Sequence, residues 1–275
     1  MLLSLIISSL TLVQASVIEE GCDGVKIKDI YYEKELLKTD IDRPYLLTVD
    51  YSTNTLYFSY NKNTADDVSY KSAYINLNTR EFGDVPGTVN GFAQTVDQKN
   101  HEIYIGGSDG IYKYDHNSKR AEFFGAANED IWLVYHKDML YYSNFPNQFL
   151  YTLIDGISTR FKDLEDTKVD QFVIDNDDII FYTNATGLYG QKKGTKDAIL
   201  YENNKNVRNL ATDINGNVYV CEIDDVYEIN KEIHGLDKVL DVEDCFGLAF
   251  DNENNIIYSN ATSLVRLKRN LNKHC

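Results

Sequence analysis

Three features of the chain predict its fold class: six copies of a unit of about forty residues, strand-type alternation in place of helical periodicity, and a length suited to one large domain. Together they point to an all-β fold, a six-bladed β-propeller of four-stranded antiparallel blades. Each unit is an apolar strand ending at Asp, a polar turn rich in Asn, and a second strand ending in Tyr or Phe plus a small or polar residue. The copies read LLTVDYSTNTLYFS from Leu46, FAQTVDQKNHEIYIG from Phe92, IWLVYHKDMLYYSN from Ile131, QFVIDNDDIIFYTN from Gln171, NLATDINGNVYVCE from Asn209 and GLAFDNENNIIYSN from Gly247. Their strand-end anchors are Asp50, Asp97, Tyr135, Asp175, Asp213 and Asp251, at intervals of 47, 38, 40, 38 and 38 residues. The long first interval comes from a polar segment, Asn61 to Asp67, placed between the second and third strands of that unit. The third copy carries Tyr135 where the others carry Asp.

A third alternating run follows each core pair: Tyr70 to Asn76, Ile111 to Asp115, Phe149 to Asp155, Gly187 to Lys192, Val226 to Asn230 and Leu264 to Lys268. Most copies add a fourth, such as Ala121 to Phe124, Ser158 to Leu164 and Ala198 to Glu202, so each unit reads as a blade. The one helical signal is a turn near Glu33 to Lys38. The sixth unit ends near Asn270 without a fourth strand, while Gly24 to Leu37 has no place in unit one. We therefore expect Val25 to Tyr32 to supply the outer strand of the last blade, closing the ring and leaving no open sheet edge there. A closed ring offers no obvious strand edge for pairing, and a monomer is expected.

Met1 to Ala15 is apolar and free of charged residues, and Val13-Gln14-Ala15 places small residues at a cleavage position. This is the pattern of a signal peptide over residues 1–15, with residues 16–275 forming one propeller domain in a secreted protein. No later stretch approaches the ~20 apolar residues of a membrane helix. Lys and Arg total 27 against 43 Asp and Glu, a net charge of −16 that repels nucleic-acid phosphates and anionic lipid. Neither nucleic acid nor membrane is an expected partner.

Four cysteines in a secreted chain imply two disulfides, with three connectivities open. The closure topology favours Cys22–Cys275 as a clasp and Cys221–Cys245 as a link between blades five and six. Asn184-Ala185-Thr186 and Asn260-Ala261-Thr262 match the N-glycosylation pattern, a second mark of the secretory route.

Motifs for chemistry are few. The five histidines lie at no metal-ligand spacing, and no nucleophile elbow, P-loop or dinucleotide glycine fingerprint occurs. Gly106-Gly107 and Gly110 read as turn residues. The acidic runs Asp175 to Asp178 and Asp251 to Asn254 lack calcium-loop spacing and recur where each blade needs its first turn, which Asp and Asn form readily. No metal, cofactor or catalytic residue is expected. The aligned copies do expose one face of the ring. Five residues before each anchor stand Tyr45, Phe92, Asp130, Asp170, Arg208 and Phe246, and Trp132, the only tryptophan, lies two beyond Asp130. Such a rim suits a flat, polar aromatic ligand, with rings stacking on its faces and Arg208 gripping an acidic group. The repeated Tyr57, Tyr104, Tyr142, Tyr182, Tyr219 and Tyr258 read as sheet packing.

The whole chain resembles the ommochrome-binding protein family of lepidopteran haemolymph: a signal peptide, an acidic Tyr-rich chain of this length, and the segments YTNAT from Tyr182 and YSNAT from Tyr258. The resemblance implies a circulating carrier that binds an ommochrome, a tryptophan-derived phenoxazinone pigment, without chemical change. The architecture also resembles the gluconolactonase-like hydrolases, which bind a divalent metal at the channel mouth through acidic and amide side chains. Against that, three of the six aligned rim positions are aromatic and one is cationic. A third reading is an extracellular protein-interaction propeller.

Overall fold

The computed structural model describes residues 24–64, 67–203 and 206–271. The signal segment and the Cys22–Cys275 clasp lie outside the described residues. Six antiparallel sheets follow one another around a ring, and apart from one 3-10 turn, Lys162–Leu164, the regular structure is all strand. Blade 1 runs Asp42–Asp50, Thr55–Thr64, Asp67–Asn76 and Phe82–Asp84 from the inside outward. The innermost strands of blades 2 to 6 are Ala93–Asp97, Ile131–His136, Gln171–Ile174, Asn209–Thr212 and Gly247–Phe250. The predicted propeller, its six blades and its closure through the N-terminal segment are all present.

Two details of that closure differ from the sequence reading. The strand that completes blade 6 is Ile30–Thr39, not Val25 to Tyr32; it pairs with Ser263–Arg269 from Tyr32↔Arg269 to Thr39↔Ser263. Val25–Ile27 folds back on it as a fifth, outermost strand, through Lys28 and Asp29, both left-handed at φ 46° and 66°. The segment Glu33 to Lys38, read as a helical turn, is therefore strand. Its alternation is masked by a bulge between Leu36 and Lys38. The insertion Asn61 to Asp67 lengthens a hairpin, whose register runs unbroken from Thr55↔Asn76 to Thr64↔Asp67. The fourth run of blade 3 is also shorter than expected: its strand is Ile157–Arg160, and the 3-10 turn follows.

Period-two alternation explains where the core sits. Six hydrophobic clusters fill the six spaces between neighbouring blades. In blade 4, Phe172, Ile174, Ile180 and Tyr182 pack toward blade 3, while Val173, Phe181 and Leu188 pack toward blade 5. Successive side chains thus serve opposite interfaces, and each blade is apolar on both faces. The repeated tyrosines of the second strands belong here: Tyr142 stacks on Tyr151 at 5.3 Å and Tyr182 on Tyr189 at 5.6 Å. Cys221 and Cys245 form the expected disulfide, tying the second strand of blade 5 to the linker entering blade 6, with Cα atoms 6.1 Å apart.

Candidate ligand-binding site

Because every innermost strand runs the same way, the ring has two unlike mouths. One carries the strand starts and the turns between second and third strands. The other carries the anchor residues and the first turns.

At the anchor mouth the acidic residues make turns. Asp175 Oδ1 accepts from the backbone N–H of Asp177 and Ile179, both at 2.8 Å. Asp213 does the same for Asn215 and Asn217, and Asp251 for Glu253 and Asn255. These buried carboxylates satisfy the backbone donors of the turn, as the turn reading requires. Blade 3 solves the problem differently: the Tyr135 hydroxyl donates to the Ile174 carbonyl at 3.0 Å and accepts from the Ile174 N–H at 3.2 Å, bonding to the next blade. Among the described residues, no group of three His, Cys, Asp or Glu could hold a metal ion.

The strand-start mouth brings the seven rim residues into one connected array. Arg208 lies over the Phe246 ring, 4.3 Å from its centre. Phe246 meets Tyr45 edge-on at 5.4 Å, Tyr45 meets Phe92 at 5.7 Å, and Phe92 meets Trp132 at 5.2 Å. The Trp132 indole N–H then donates to the Asp170 carbonyl at 3.1 Å, and the Asp170 carboxylate accepts from Gln148. Asp130 receives the Phe145 N–H on its backbone oxygen at 2.7 Å. The rings are half-buried, so each packs on a neighbour and keeps part of its surface open.

Electrostatics at this mouth are mixed. Arg208 Nη1 donates to Asp244 at 2.7 Å and to the Cys245 carbonyl at 3.2 Å, which fixes the guanidinium beside Phe246. Partial burial raises the Asp170 carboxyl above its ordinary range, with the Gln148 hydrogen bond opposing, and raises Asp130 as well. Burial likewise raises the Tyr45 hydroxyl, against the pull of nearby Arg43.

Two rings of this array escaped the sequence reading. Tyr70 packs on Phe92 at 4.6 Å and on Tyr45 at 6.3 Å, and Phe145 lies 6.1 Å from Trp132. Phe145 stands in the turn after the second strand of blade 3, and Tyr70 on the third strand of blade 1, within the lengthened hairpin.

The axial cavity, about 460 Å³, is lined by none of the seven rim residues. It begins one layer inside the aromatic mouth, at Leu46, Gln171 and Asn209, and reaches the anchor-side turns at Lys99, Asn176 and Ile214.

With this geometry in place, comparison with known proteins is informative. The chain is 29% identical over 250 residues to the ommochrome-binding protein of Manduca sexta, across 89% of this chain and 90% of that one. The resemblance expected from the sequence is borne out. No family model matches the chain. Among solved structures, a gluconolactonase of Xanthomonas campestris superposes with a TM-score of 0.69 at 10% identity, over 89% of this chain and 91% of that one. Virginiamycin B lyase of Staphylococcus aureus gives 0.57 at 11% identity, over 86% and 99%. At such identities these two likenesses speak for the fold alone.

Proposed function

We propose that the protein is a secreted carrier that binds an ommochrome without chemical change, with the aromatic mouth as its contact surface. The similarity to a pigment-binding relative along 89% of the chain carries this reading. The mouth supplies suitable chemistry. A flat chromophore laid against Tyr45, Phe92, Trp132 and Phe246 gains ring contact, and an acidic group on it comes within reach of Arg208. The sequons agree with secretion: Asn184 ends the second strand of blade 4 and Asn260 follows that of blade 6, both beside this same mouth, where Thr186 and Thr262 are exposed.

A metal-dependent hydrolase is the second reading, favoured by the gluconolactonase-like fold. The rim weighs against it, since three of its six aligned positions are aromatic and Arg208 holds a fourth. An absorbance titration of the secreted protein with xanthommatin, with and without chelator, separates the two. The carrier gives a saturable, chelator-insensitive spectral shift near one pigment per chain, and Arg208→Ala or Trp132→Ala weakens it about tenfold. An absent shift overturns the pigment reading. A normal shift in both variants moves the site away from this mouth. Calcium-dependent lactone turnover transfers the assignment to the hydrolase.

A further inference from the structure

Among the described residues, a disulfide reaches the rim at one place, in blade 5. In blades 2, 4 and 6 the rim N–H donates to a carbonyl near the end of the second strand: Phe92 to Gly106 at 2.8 Å, Asp170 to Thr183 at 2.9 Å and Phe246 to Ser259 at 2.9 Å. Arg208 N–H makes the same bond to Cys221 at 2.8 Å. Cys221 runs on through its disulfide to Cys245, whose carbonyl accepts from Arg208 Nη1 at 3.2 Å. The residue that holds Arg208 by its main chain and a residue that holds it by its side chain are therefore joined covalently, and both are fully buried.

The linker that Cys245 anchors carries the rest of the Arg208 surroundings. Asp244 takes the same Nη1 at 2.7 Å and stands left-handed at φ 55°. The N–H groups of Val242 and Cys245 donate to the Asp224 and Ile223 carbonyls at 2.9 and 2.7 Å, so these ties and the disulfide all land on residues 221–224. The next residue is Phe246, whose ring centre lies 4.3 Å from the guanidinium. A shift of this linker would move the carboxylate, the carbonyl and the ring together. Among the described residues Nη1 alone of the three guanidinium nitrogens makes hydrogen bonds, and the side chain keeps 29% of its surface exposed. The uncommitted edge, Nε and Nη2, is of the kind that a carboxylate or sulfate grips with two parallel bonds.

We propose that the Cys221–Cys245 disulfide and Asp244 are positioning groups for the ligand: they hold the Arg208 guanidinium against Phe246 and leave its Nε–Nη2 edge for an acidic group. This rests on the aromatic mouth as the pigment's contact surface. The gain is preorganisation, since an arginine ordered before the ligand arrives loses less freedom on binding.

Two readouts test this, one of which needs no pigment. Phenylglyoxal modification of Arg208 in the folded full-length protein is followed by peptide mass spectrometry. It is expected to run about threefold faster once Cys221→Ala and Cys245→Ala together remove the disulfide, and likewise in Asp244→Gly. Asp244→Asn keeps a side-chain acceptor and should restore most of the protection. In the xanthommatin titration, the disulfide-free chain and Asp244→Gly should each bind about fivefold more weakly than wild type, with no further loss when either change is made in an Arg208→Ala background. A brace that served the fold alone would cost the same factor in both backgrounds, and that result overturns the proposal. So does an unchanged modification rate in both variants. A wild-type protein that binds no pigment overturns the carrier reading, and the modification rate then decides whether the clamp on Arg208 exists. Far-ultraviolet circular dichroism confirms that each variant folds; if the disulfide-free chain does not, Asp244→Gly carries both readouts.

Discussion

The two mouths of the ring are held together by different means. At the anchor mouth every neighbouring pair of blades is joined by a hydrogen bond. Gln98 donates to Val49 O at 2.6 Å, the His136 N–H to Thr95 Oγ1 at 3.0 Å, and the Tyr135 hydroxyl to Ile174 O at 3.0 Å. Asn176 donates to Asn215 O at 2.7 Å, Asn254 to Asp213 Oδ2 at 3.1 Å, and Asn252 to Tyr51 O at 3.3 Å. Four of these six bonds are donated by a side-chain amide, and blade 3 supplies the two exceptions, a backbone N–H and a hydroxyl. The other mouth is uneven: rings crowd blades 6, 1, 2 and 3, while blades 4 and 5 contribute Asp170 and Arg208. In a repeat fold, what all copies share is what each blade needs in order to pack, and what varies is free to be shaped by a ligand.

The comparison breaks most sharply at Asp251. Its carboxylate is fully buried, accepts turn hydrogen bonds, and lies 3.3 Å from Arg266, which also pairs at 2.6 Å with Glu35 of the closing strand. Asp251→Ala strips Arg266 of one buried partner at the seam where the chain ends meet. A loss of about 3 kcal/mol in urea denaturation is expected, without loss of pigment affinity in the folded fraction. A weakened pigment titration with unchanged stability would reverse the roles of the two mouths.

Tyr135→Phe sharpens the same contrast at smaller scale. Removing the hydroxyl leaves the Ile174 N–H and carbonyl without that partner, and about 2 kcal/mol should be lost from the urea-derived stability. A near-zero change would mean that Tyr135 is held by ring packing on Phe172 at 5.5 Å, and not by its hydrogen bonds.

How much of this was legible in sequence follows from which contacts are local. The anchors recur at near-constant spacing, so blade number and order could be read off, and alignment of the copies located the rim residues that the ring brings together. The closing strand was misplaced because Lys28-Asp29 makes a tight left-handed hairpin without the Asn-Gly signature, so two strands looked like one. Tyr70 was missed because it lies on the third strand of blade 1, beside the insertion, where the lengthened hairpin brings it onto Phe92 in a way no other blade repeats.

The smallest predicted effect lies at His136, where the channel meets the anchor mouth. Burial lowers its pKa below the ordinary 6.5, outweighing the pull of Asp97, Glu102 and Asp138, and its ring stacks on Tyr104 at 6.0 Å. The folded chain therefore resists a proton that the unfolded chain accepts near pH 6.5, so stability declines as pH falls below that value. Carboxylates held low, such as Asp97, contribute their own loss only in more acidic solution. His136→Gln should flatten the decline between pH 7 and pH 5.5, a difference of under about 1 kcal/mol in urea midpoints compared at the two pH values. Equal declines in variant and wild type would place the titrating group elsewhere. A flattened decline would show that the anchor mouth carries a pH-sensitive position in blade 3, the blade that also replaces the repeated Asp with Tyr.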